Sequence, residues 1–186
     1  MDFKNTPAYK PVVSMLASAK LPNTNEKLHK VIAELDVEKS PRYKRTADGR
    51  TWCNIFVTDV LDAFGLYPSH WMNADGGPPE HDGVVVELNA NQMLRWLLAH
   101  GGNYGWIQAG RDMAMSAAER GHVVLVGWDS RSGKPGHVAV LLPEGTIAQA
   151  GRTNFVGKTI REGFGTLQVQ FWVQMRGGSH DVRPEE

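Results

Sequence analysis

Gly136-His137-Val138-Ala139-Val140-Leu141-Leu142-Pro143-Glu144-Gly145-Thr146-Ile147-Ala148-Gln149-Ala150-Gly151 is the stretch on which the fold turns. Two apolar runs, 137–142 and 146–150, flank a Pro-Glu-Gly turn, and together they predict an antiparallel hairpin. Setting Leu142 opposite Thr146 places Ala139 opposite Gln149 and His137 opposite Gly151. Side chains two apart on a strand share a face, so His137 and Gln149 are expected to point the same way as diagonal neighbours. A glutamine carbonyl in that position can accept the imidazole N–H and fix the ring's tautomer. The plainer reading is a polar residue closing a strand end. Asn154, beyond Gly151-Arg152-Thr153, is the other candidate for orienting the ring.

Working outward, His122-Val123-Val124-Leu125-Val126-Gly127-Trp128 reads as the preceding strand, joined to the hairpin by the turn 129–136. Downstream, Leu167, Val169, Phe171, Val173 and Met175 alternate with Gln168, Gln170, Trp172 and Gln174, the period of a long half-buried strand. The upstream half is helical. Segments 9–19 and 25–38 predict two short helices, with Leu28, Val31, Ile32 and Leu35 on one stripe of the second. Phe56, Val57, Val60, Leu61 and Phe64 predict another over 53–64, stopped by Gly65. Asn89-Ala90-Asn91 caps a helix running to His100, and a shorter one is expected over 110–119. Helices first and antiparallel strands second give a single α+β domain over 1–186, with residues 1–40 as a helical N-terminal extension. Between the helices, 66–88 is an irregular excursion centred on Asn73-Ala74-Asp75-Gly76-Gly77-Pro78-Pro79, and its His70 and His81 are placed to touch a ligand.

The chain's only cysteine opens the helix in Arg50-Thr51-Trp52-Cys53-Asn54-Ile55-Phe56-Val57. A lone cysteine is most often a small buried hydrophobe. At a helix start, however, the positive end of the helix lowers the thiol pKa, and a distant imidazole can take and deliver the proton. His137 at the head of an apolar strand is the expected base; His122, which also opens a strand, competes with it. A zinc site needs several ligands at recognisable spacing, and neither metal nor cofactor is expected. The Asn73-Ala74-Asp75-Gly76 stretch reads as a turn, because the later glutamate of a calcium loop is missing.

Twenty basic residues balance twenty acidic ones in 186, so no net field favours nucleic acid as a partner. No apolar run approaches the ~20 residues of a membrane span, and the N-terminal stretch lacks the organisation of a secretory signal. The expectation is synthesis in the cytoplasm, with delivery or release needed for action elsewhere.

Three blocks, Trp52-Cys53-Asn54-Ile55-Phe56-Val57, Asn89-Ala90-Asn91-Gln92-Met93 and Gly136-His137-Val138-Ala139-Val140, come in the order found in a known group. Together they resemble the NlpC-type and CHAP-type peptidoglycan hydrolases, and most of all the amidase effectors of type VI secretion. The resemblance spans roughly residues 50–151. It implies a papain-like fold and hydrolysis of an amide in the peptide stems of peptidoglycan at the bacterial cell wall. It further implies Cys53 as nucleophile, His137 as base and Gln149 as orienting residue, with Trp52, Asn54, Asn89 and Asn91 contacting substrate. An immunity or delivery protein is the implied protein partner. Asn54 stands where many relatives carry serine. The alternatives are a non-catalytic wall-binding module and a thiol protease or acyltransferase acting on proteins.

Overall fold

The computed structural model describes residues 9–10, 12–78 and 85–175; His81 and His180 lie outside them. The helices are α1 (Asn25–Leu35), α2 (Cys53–Ala63), α3 (Ala90–His100), α4 (Arg111–Glu119) and α5 (Ile160–Phe164). The strands are β1 (Trp71–Asn73), β2 (Val85–Glu87), β3 (Trp106–Ala109), β4 (Val124–Trp128), β5 (His137–Leu141), β6 (Ile147–Gln149), β7 (Phe155–Lys158) and β8 (Gln170–Gln174). The architecture is α+β. Six strands form an antiparallel sheet in the order β3-β8-β4-β5-β6-β7, and β1 and β2 make a separate two-stranded ribbon.

The hairpin of β5 and β6 has the register read from its turn, with Val140 opposite Ala148 and Leu141 opposite Ile147. The Leu142 N–H donates to Thr146 O at 2.8 Å and closes the turn. Both faces of the sheet are covered, which explains the continuous apolar run of β4. On one face Leu125, Val138, Val140, Ala148 and Trp172 pack under α1, α2 and α3. On the other, Val124, Val126, Ala139, Leu141, Phe171 and Val173 meet α4 and α5. The small side chains of Ala114, Ala117 and Ala118 bring α4 close to its face. Gly127 does the same for α3: a Cβ there would stand 2.3 Å from Leu94 Cδ2.

The structure revises several sequence expectations. The strand expected over 167–175 shortens to β8 and is not half-buried. It lies between β3 and β4, so Trp172 and Gln174 are as enclosed as Phe171 and Val173. The described residues of 9–19 contain no α-helix. Two 3-10 turns, Val13–Met15 and Ala17–Lys20, stand there instead, and in the second Ser18 spends its N–H and hydroxyl on the Glu34 carboxylate of α1 at 3.2 and 2.9 Å. α1 stops at Leu35 rather than residue 38, since Asp36 turns left-handed (φ 45°), a conformation aspartate tolerates better than most residues. The excursion 66–88 is paired at both ends by β1 and β2. Strands β3 and β7 and helix α5 have no counterpart in the sequence reading. Leu16, Leu28, Val31 and Ile32 share one apolar cluster with α2, so the described part of 1–40 is packed into the core.

A buried polar knot anchors the loop ahead of α2. Arg42 donates to both oxygens of Asp59 at 2.6 and 2.7 Å, and the Tyr43 hydroxyl donates to Asp59 Oδ2 at 2.6 Å. No described helix is long and apolar enough to cross a membrane.

Candidate active site

Cys53 is the first residue of α2 and only 4% exposed. Helices α1, α3 and α5 are capped by Thr24, Asn89 and Thr159, whereas the residue before Cys53 is Trp52, which makes no side-chain cap. The first-turn N–H groups of α2 are thus not taken by a capping side chain, and they stand beside the sulfur. That is an anion-favouring position.

His137 opens β5 and is hydrogen-bonded to the Cys53 sulfur. Its Nε2 lies 2.7 Å from Gln149 Oε1, so Nδ1 is the nitrogen left for the thiol. Gln149, itself buried, donates its amide N–H to Thr153 O at 3.0 Å, which fixes which end of the amide faces the ring. Two glycines make room for this pairing. A Cβ on Gly151 would lie 3.1 Å from His137 Cε1, and one on Gly163 would lie 2.7 Å from Gln149 Oε1. Phe164 packs against the imidazole in a tilted arrangement, with ring centroids 4.9 Å apart.

The electrostatics follow from this geometry. Burial alone pushes the Cys53 thiol up. The hydrogen bond and charge of His137, with the backbone N–H groups of Val138 and Asn54, outweigh it and hold the thiol below its ordinary value. Burial likewise pulls His137 down, but the bond and charge of Cys53, then the Gln149 carbonyl, lift it above the usual imidazole range. Both shifts favour a thiolate–imidazolium pair.

Of the other residues singled out, Asn154 spends its amide on backbone carbonyls. Its amide donates to Val37 O and Tyr43 O, both at 2.9 Å, and fastens the β6–β7 turn to the loop ahead of α2. His122 donates from Nδ1 to Gln174 O, 3.0 Å away, at the far end of β4. Asn91 is engaged by the neighbouring turn. It does not line the groove described below, because its amide braces the 129–136 turn through Ser130 and Lys134 O (3.2 and 2.8 Å). A Cβ on Gly136 would collide with it at 2.0 Å. Asn89 does line the groove, but its side-chain oxygen caps α3 by accepting from Gln92 N at 3.0 Å. Asn54 donates to Leu88 O at 2.9 Å and touches His70 Nδ1 at 3.4 Å. Trp52 donates to Lys44 O at 2.9 Å.

An open groove of about 840 Å³ runs over this centre, with Trp52, Asn54, His137 and Gln149 in its floor. One wall is the 45–52 loop and the β6–β7 turn. The other carries Glu87, which accepts from the Tyr9 hydroxyl at 3.1 Å and lies 3.3 Å from His70 Nε2. Burial, then the Arg42 charge, pushes His70 down to about 4, so it stays neutral. Burial and Glu87 push Tyr9 up to about 12. Tyr9, Glu87 and Phe164 were invisible to sequence reasoning. Among the described residues no three His, Cys, Asp or Glu side chains converge as a metal site. Comparison of the chain with protein-family models and with curated proteins returns no match.

Proposed function

We propose that this protein is a papain-like cysteine hydrolase that cuts an amide bond in the peptide stems of peptidoglycan. One observation carries the reading. The only thiol of the chain sits at a helix start without a capping side chain, bonded to an imidazole that a buried glutamine carbonyl orients, under an open groove. A purely structural cysteine needs none of these partners. The peptide-stem substrate comes from the likeness of the three sequence blocks to wall amidases.

In this mechanism the Cys53 thiolate attacks the amide carbonyl carbon, and the electron pair moves to the oxygen. The Cys53 N–H, at the positive end of α2, donates to that oxyanion. As the tetrahedral intermediate collapses, the His137 imidazolium gives its proton to the departing amine nitrogen, leaving a thioester on Cys53. A water then attacks the thioester. Neutral His137 takes its proton, the C–S bond breaks, and the product carboxylic acid leaves behind the thiolate–imidazolium pair. Gln149 keeps the ring in plane with both partners throughout. The wall lies outside the cytoplasm, so action there requires delivery or release.

Purified wall fragments incubated with the wild type and with Cys53→Ala, with the products read by mass spectrometry, test the proposal. New amine and carboxylate ends made by the wild type alone are the expected result. Binding without cleavage would favour a wall-binding module. Cleavage of proteins but not of wall fragments would favour a protein-directed thiol enzyme.

A further inference from the structure

The groove contains three arginines and three acids, yet their charges do not cancel in the same way. Asp48 accepts from Arg50 at 3.0 Å and from the Thr46 hydroxyl. Glu162 is held by the N–H and hydroxyl of Thr159, both at 2.8 Å, in the cap of α5. Glu87 is engaged by Tyr9 and faces His70. The acids therefore already have partners.

Arg152 and Arg45 differ. Arg152 is exposed, lines the groove, and has no carboxylate partner among the described residues. Arg45 donates only from Nε, to Gly49 O at 3.3 Å, so its terminal nitrogens are uncommitted there. Arg152 directly follows Gly151, where a Cβ would lie 3.1 Å from His137 Cε1. Asn154 ties the 150–154 segment to Tyr43 O, two residues before Arg45, and Trp52 closes the 44–52 loop on Lys44 O, so the two arginines stand on joined segments of one groove lining. The opposite wall presents Glu87. The nucleophile does not need these cations, because the thiol is lowered by His137 and two backbone N–H groups.

We infer that Arg152 and Arg45 form a carboxylate-binding site on one wall of the groove, which selects substrates carrying a free carboxylate beside the cleaved amide. A guanidinium offers paired N–H donors that match the two oxygens of a carboxylate. The inference rests on the hydrolase reading for its reaction, but the binding site itself can be tested apart from it.

The test uses amine-acetylated wall fragments in two forms, with stem carboxylates free or converted to methyl amides. kcat/KM is measured on both for the wild type, Arg152→Gln, Arg45→Gln and Arg152→Lys. Binding of both forms to Cys53→Ala, alone and combined with Arg152→Gln, is measured by calorimetry. The expected result is a preference of about tenfold for the free form, falling toward one in each glutamine variant and partly restored by lysine. An unchanged rate of Cys53 alkylation and unchanged thermal unfolding show that the variants are folded. Equal rates on the two forms, or a preference that survives both glutamine substitutions, overturns the inference and leaves the hydrolase reading standing. Preferential, Arg152-dependent binding without cleavage upholds the site and removes the hydrolase reading. Neither cleavage nor preferential binding overturns both.

Discussion

Replacing Gln149 by alanine removes an oxygen 2.7 Å from His137 Nε2 and an amide that donates to Thr153 O at 3.0 Å. A hydrogen bond to a charged ring is worth about 1.5–3 kcal/mol and one between neutral groups about 1 kcal/mol. At 1.36 kcal/mol per factor of ten, loss of the first should slow kcat about 10- to 100-fold. The ring is not wholly freed, because Phe164 still packs against it with centroids 4.9 Å apart. The loss should therefore fall short of that in His137→Ala, where the proton shuttle itself is gone and about 10²–10⁴ is at stake. Gln149 is only 4% exposed, so both bonds count toward stability. The variant should unfold about 4–16 °C lower, from about 2–4 kcal/mol.

The same substitution has a signature in pH. The Gln149 carbonyl is one of the groups lifting His137. Without it the imidazolium loses its proton at lower pH, so the basic limb of the rate profile moves toward acid. Gln149→Asn should not rescue, since shortening by one bond withdraws the oxygen by about 1.5 Å, beyond hydrogen-bond reach. The assay is turnover of wall fragments across pH, with thermal unfolding in parallel and Asn154→Ala as the contrast. Asn154→Ala gives up two backbone acceptors and should lose about 2 kcal/mol while keeping turnover. Wild-type turnover and an unmoved basic limb in Gln149→Ala, with turnover lost in Asn154→Ala, would refute the reasoning.

The wild-type rate should follow a bell, because the pair is active only above the lowered thiol pKa and below the raised His137 pKa; alkylation of Cys53 should persist on the acid side of pH 7, and a free-cysteine rate there would oppose the pair. Asp59→Asn leaves Arg42 buried without its counter-charge and should cost about 3–5 kcal/mol, read by urea unfolding; a change under about 1 kcal/mol would mean the knot contributes little. Asn91→Ala should free the 129–136 turn at a cost of about 2–3 kcal/mol, seen as faster proteolysis there, with affinity for wall fragments kept. Weaker binding at unchanged stability would return Asn91 to the substrate.

The parts of the fold legible in the sequence are those set by nearby residues. The register of β5 and β6 follows from a three-residue turn, and the pairing of His137 with Gln149 follows from that register and the period of a strand. α2 and α3 are fixed by their own apolar stripes. What escaped reading depends on distant chain. β8 looked half-buried because its alternation is genuine, yet its second face is closed by Trp172 packing under α3 and by Gln174 donating to Tyr104 O, 70 positions away. Asn91 looked like a ligand contact because polar residues at a helix start suit either role. Its bonds to the 129–136 turn come from distant chain and could not be read from its neighbours.

The groove shows the same division more sharply. Its floor is local: one helix start and one hairpin. Its walls are held by Asn154 reaching Val37 and Tyr43 across 117 and 111 positions, by Trp52 on Lys44 O, and by the Arg42–Asp59 pair. All of these bonds go to backbone carbonyls or to the buried knot, and none uses the guanidinium of Arg45 or Arg152. Arg45 adds only its Nε bond to Gly49 O at 3.3 Å, so the main ties of the wall are kept when either side chain is replaced. A glutamine at either position changes what the groove attracts without changing what holds it open, so a loss of carboxylate preference in those variants reports recognition and not folding.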